Sequence, residues 1–128
     1  MKLKKLKIFV NGTASALLNN FIADQGLVLV ESILEADLVV NLESSFIDDS
    51  KFLRALAGKV LVSKLDFEFL GAKPFDIISE TGEYITYDDS EFGLIVAIVK
   101  ARDFYEFDHD WRTMVNNLLS FLDEKGLV

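Results

Sequence analysis

Asn11, Gly12 and Thr13 stand where an apolar run over residues 6–10 gives way to a segment of helical periodicity, in the stretch VNGTASALL. That order of residue types suits an anion. An Asn amide offers two N–H donors, a Gly lets a bulky oxyanion approach the backbone, and a Thr or Ser hydroxyl adds another donor. The first N–H groups of a helix have no partner inside it, so a strand that ends in such a turn and opens a helix can hold a phosphate. The same residues also have a plain structural use. Asn-Gly is a common turn pair, and Thr13 or Ser15 can cap the helix.

Other chemistries find less support. No GxGxxG follows the first apolar run, and GxxxxGK[ST] is absent, so dinucleotide and P-loop readings have no basis. There is no Cys, hence no disulfide, thiolate zinc site or thiol nucleophile, which fits a reducing compartment. His109 is the single histidine, flanked by Asp108 and Asp110. Adjacent residues do not face one another on a helix, and acids are favoured at a helix start, so the spacing predicts no metal site. With no second His and no Cys, no nucleophile–base pair can be built except from carboxylates. Glu31, Glu35, Asp37, Asp66 and Glu68 show no paired spacing either. The expectation is a protein that is not an enzyme and carries no cofactor.

The elements that must position the turn can be read from periodicity. Residues 6–10 form a first strand, and residues 15–24 a helix whose Leu17, Leu18, Phe21 and Ile22 share a face, stopped at Gly26. Two short β-rich runs follow at residues 27–30 and 36–40, with so few residues between them that close neighbours are expected. Asp49 or Ser50 caps a short second helix running to Leu56, and residues 60–62 form a fourth strand. Residues 63–71 read as a short helix or turn, and residues 83–87 as a small extra strand. Ser90 caps a segment to about residue 102 that is apolar nearly all round, so helix is expected, with strand an alternative for residues 94–99. Trp111, Met114, Val115, Leu118, Leu119 and Leu122 then make the clearest helical stripe, ending near Gly126.

This order predicts an α/β fold: a small sandwich with a four-stranded, mainly parallel sheet flanked by helices. A composition shift near residues 74–86 divides it into a core, 1–89, and a C-terminal helical extension, 90–128, packed on that core. At 128 residues the chain is one domain's length, and no apolar run reaches the span of a bilayer. The net charge of −8, from 21 acidic and 13 basic residues, argues against broad binding to nucleic-acid backbones. Neither nucleic acid nor membrane is expected as a direct partner.

The sequence resembles the BRCT domain over residues 6–87. The resemblance rests on FVNG at the end of strand one, the DQG turn after the first helix, ADLVV as strand three, SKFLRALAGKVLVS as helix two running into strand four, and the closing ISETGEYIT. The family's usual Trp after strand four is missing, leaving Phe67 or Phe69 to fill its volume, and Asn11 stands where phosphate-binding members carry Ser or Thr. A helix-extended module is implied, of the kind found in yeast silent-chromatin scaffolds of the silent-information-regulator class and in a replication-kinase activator.

That resemblance implies a non-enzymatic interaction module in the nucleus, on a chromatin-silencing, DNA-repair or replication scaffold, which binds phosphoserine or phosphothreonine segments of partner proteins. The phosphate would be held by Asn11 or Thr13, by the Gly12 backbone and by Lys51 at the start of helix two, with Arg54 reading a peptide flank. Lys51 falls in a first helical turn, where the macrodipole disfavours a cation. Two alternatives stand beside it. One is a BRCT-like domain with a dead phosphate pocket that binds partners through its apolar C-terminal helices. The other is a small α/β domain that binds a nucleotide or another phosphate ligand at the Gly12 turn. The chain's end directly after a helix stop also suggests a module excised from a longer protein.

Overall fold

The computed structural model describes residues 5–43, 49–64, 70–88 and 90–128. Strand β1 (Lys7–Asn11) leads through Gly12 to helix α1 (Ala16–Asp24), then to β2 (Val28–Leu29), a 3-10 turn (Ile33–Glu35) and β3 (Leu38–Asn41). Helix α2 (Ser50–Ala55), β4 (Val60–Lys64), β5 (Ile85–Tyr87), α3 (Glu91–Phe107) and α4 (His109–Glu124) complete the order.

The sheet has the order β2-β1-β3-β4-β5, and every pair is parallel. It therefore holds five strands, all parallel, where four mainly parallel strands were expected. The additional strand follows from its side chains. Ile85 extends a register row of Val10, Val40 and Val62, so that one face is apolar across four strands. Nor are β2 and β3 neighbours, as the short connection suggested: β1 lies between them. Ser32 Oγ accepts from Leu34 N at 3.3 Å in the 3-10 turn that makes this crossing. Asp37 then fastens the connection to β1, its carboxylate accepting from Lys7 N at 3.1 Å and its own N–H donating to Lys7 O.

Capping and burial account for the helices. Ser15 Oγ accepts from Leu18 N at 3.1 Å and starts α1; Asp49, not Ser50, caps α2 by accepting from Phe52 N at 3.1 Å. Ser90 Oγ accepts from Gly93 N at 2.9 Å, and residues 94–99 lie within the continuous helix α3. Its buried Leu94, Ala97, Ile98, Ala101 and Tyr105 recur at helical spacing, which a strand cannot present to one face.

Two apolar layers enclose the sheet. On one side α1 and α3 pack on Ile8, Leu38, Val40, Val62 and Ile85; on the other, Leu53 of α2 and Leu56 at its C-cap pack on Val39 and Leu61. Helix α4 belongs to both layers. Trp111 and Met114 join the first, Leu118 and Leu122 the second. Tyr105 and Trp111 meet edge-to-face, centroids 4.9 Å apart, at the α3–α4 corner. Before β5, Gly82 passes so close to the chain that a Cβ would lie 2.2 Å from Pro74 O, and its φ of +102° is one that side chains rarely adopt.

Lys59, in the turn between α2 and β4, donates its ammonium to Ala36 O at 2.7 Å. Burial pushes its pKa below the ordinary lysine value, and Asp37 opposes that shift. Phe67 and Phe69, the expected substitutes for the missing Trp, lie outside the described residues, as does most of the helix or turn read around them. Among the described residues, no helix is long and apolar enough to cross a membrane.

Candidate functional site at the strand ends

In the order β2-β1-β3-β4-β5, the chain steps outward from β1 to β2 on one side and from β3 to β4 on the other. Ligands of open α/β sheets bind outside the carboxyl ends of the strands at such a reversal. Here that point lies between Asn11 and Asn41, which are register partners.

The same row continues to Ser63 and Thr86, the next-to-last residues of β4 and β5, so a polar residue stands at or next to the end of four strands. Successive strand residues alternate faces, and the row lies on the α2 side, below Phe9, Val39 and Leu61. Asn41 is fully buried and organises it. Its Oδ1 accepts from Asn11 Nδ2 at 2.8 Å and from Glu43 N at 3.3 Å. Its Nδ2 donates to Glu43 O at 2.8 Å and to Ser63 Oγ at 3.3 Å. The Tyr87 hydroxyl donates to Asn41 O at 3.2 Å. Thr86 Oγ1 is buried and has no hydrogen-bond partner among the described residues.

Around this row stand the residues read from the sequence. Asn11 is half-buried, with one amide N–H held by Asn41. Gly12 has a φ of +122°, and a Cβ there would lie 3.0 Å from Leu42 Cβ and 3.1 Å from a carboxylate oxygen of Glu43. Thr13 is exposed, Ser15 takes the capping role, and among the described residues the Thr13 hydroxyl has no hydrogen-bond partner. Gly12 and Thr13 line an open groove of about 600 Å³ with Phe9, Asn19, Val30 and Glu31, between the β1–α1 turn and the end of β2.

Lys51 and Arg54 are exposed on α2, and neither lines that groove. The groove thus takes Gly12 and Thr13 with the acidic Glu31, while Asn11 turns its amide to Asn41 and, like Lys51 and Arg54, does not line it; Glu43 stands beside Gly12. Asn41, Ser63 and Glu43 were not singled out from the sequence. A signal for Asn41 was present: IFVN and LVVN both end an apolar strand in Asn.

Fold and site define an all-parallel α/β protein whose polar side chains gather at the carboxyl ends of its strands. No family model, no curated protein and no solved structure matches the chain.

Proposed function

We propose that the chain is a BRCT-like, non-enzymatic interaction module that takes a phosphorylated serine or threonine segment of a nuclear partner protein at the β1–α1 turn. One observation carries this reading. Gly12 and Thr13 line an open groove on the β2 side of β1, at the turn that leads into α1, and the first N–H groups of a helix have no partner inside it. A phosphate would bring about −1.5 to −2 charges and three acceptor oxygens to these donors. Asn11 has a second amide N–H beside the turn, and Lys51, outside the groove, would meet a bound segment where it runs on to α2. The nuclear setting rests on the BRCT resemblance alone.

A second reading draws on a different observation. Glu43 places a carboxylate beside Gly12, while Phe92 and Phe107 of α3 are 76% and 79% exposed. These favour phosphate-independent binding through the apolar outer side of α3.

The test is fluorescence anisotropy with labelled phosphopeptides, each beside its unphosphorylated twin, on the chain and on Thr13→Ala and Lys51→Glu. Binding that requires the phosphate and weakens in Thr13→Ala is the expected result. Equal binding of both twins, lost instead in Phe92→Ser, would replace this reading with the second.

A further inference from the structure

The segment entering β5 makes a tight turn, with Asp76 N donating to Thr81 O at 2.7 Å and Glu80 N to Asp76 O at 2.8 Å. Helix α4 holds this turn from outside. Asn117 Nδ2 donates to Glu80 O at 3.1 Å and to Gly82 O at 3.0 Å. The Glu80 carboxylate is thereby set against the first turn of α4, where its Oε1 lies 2.6 Å from His109 Nε2. One donor atom each from Glu80, His109 and Asp110 lie within 4.8 Å of one another.

We infer that Glu80, His109 and Asp110 form a site for a divalent transition-metal ion of the zinc type, which would pin the 76–82 turn to α4. The donor set selects the ion. An imidazole nitrogen with two carboxylates suits zinc, cobalt or nickel, whereas magnesium and calcium prefer all-oxygen shells. Three protein donors leave a fourth tetrahedral position for water.

Charge points the same way. Two carboxylates face one imidazole, and among the described residues neither Glu80 nor Asp110 pairs with a Lys or Arg. The nearby Arg112 engages Asp108 at 3.4 Å instead. Bonds of about 2.0–2.2 Å would set tetrahedral donors roughly 3.4 Å apart. The His109–Glu80 hydrogen bond must therefore open slightly and Asp110 close in. Glu80 and His109 are exposed and Asp110 is partly so, which allows these rotations, while Asn117 keeps the two backbones in place.

The sequence hid this cluster because Glu80 lies 29 positions from His109. Adjacency of His109 and Asp110 does not make a site; a third donor arriving from another element does.

The experiment titrates chelator-stripped full chain with Co²⁺, followed by its visible absorption, and then displaces it with Zn²⁺. Saturable one-to-one binding tighter than about 100 µM is expected. Zn²⁺ should compete and Mg²⁺ should not, and His109→Gln and Asp110→Asn should each weaken binding at least about tenfold. Melting in EDTA confirms that both variants fold, and Zn²⁺ should raise the melting temperature of the parent chain only. The absence of saturable binding in that range, or equal binding by folded variants, overturns the site.

Discussion

The side-chain amide of Asn11 donates to Oδ1 of Asn41 at 2.8 Å, joining the carboxyl ends of β1 and β3 at the point where the winding reverses. A strand end is usually a frayed place, since the ladder stops there. Here the ladder continues one step further through side chains, and Asn41 is its centre.

Asn41→Ala removes a fully buried amide and leaves Asn11, Ser63 and the Glu43 backbone without their partners. The expected loss is about 2–4 kcal/mol, the sum of a small cavity and several orphaned polar groups. Asn11→Ala, at a half-buried position with one such bond, should cost about 1 kcal/mol. Urea unfolding of the two variants checks the ranking, which would invert if Asn11 were the organising residue.

Glu43→Gln tests what the carboxylate beside Gly12 does. It removes one negative charge from the mouth of the turn and leaves the backbone bonds of Glu43 to Asn41 intact. Stability should stay within about 0.5 kcal/mol of the parent. Affinity for any phosphorylated segment at this turn should rise severalfold at low salt, and the gain should shrink as salt screens the pair. Anisotropy at two ionic strengths reads this directly. A phosphopeptide that binds Glu43→Gln and the parent equally does not sit at Gly12.

Leu118→Ala probes how α4 belongs to the molecule. Leu118 is fully buried in the layer formed by α2, Val39 and Leu61, on the opposite side of the sheet from Trp111 at the start of the same helix. The substitution should cost about 2–5 kcal/mol. Because α4 joins both layers, far-ultraviolet circular dichroism and Trp111 fluorescence should report one coincident transition. Two separate transitions would mean that the C-terminal helices unfold on their own.

Much of this architecture was legible from local patterns. The α4 stripe from Trp111 to Leu122 and the Ser15 and Ser90 caps depend on residues near each other in sequence, so periodicity and cap chemistry suffice. The strand run at residues 83–87 was visible too, but its place in the sheet was not. That depended on Ile85 matching Val62 across 22 intervening positions, a register no local window contains. The strand-end site divides in the same way. Asn11, Gly12 and Thr13 are contiguous and stood out, whereas Asn41 becomes a partner of Asn11 only after β2 and β3 have been laid on opposite sides of β1. Asp49 capping α2 in place of Ser50 is a one-residue ambiguity, since both residues offer the needed oxygen.

The pH dependence of stability should carry a signature of Lys59. Burial lowers its folded-state pKa, with Asp37 only partly opposing, so the unfolded chain holds this proton to higher pH than the native state does. Wherever the unfolded state binds more protons, stability rises with pH. The charged amine is therefore under a desolvation penalty at neutral pH. That penalty is relieved as pH climbs from the lowered folded value toward the ordinary lysine value of 10.5. Lys59→Met has no such proton and also loses the bond to Ala36 O. The difference in urea midpoint between parent and variant should grow in the parent's favour from pH 8 to pH 10. The remaining lysines and tyrosines titrate in both proteins and largely cancel. A difference that stays flat over that range would mean that the Lys59 ammonium is as well solvated in the folded chain as in the unfolded one.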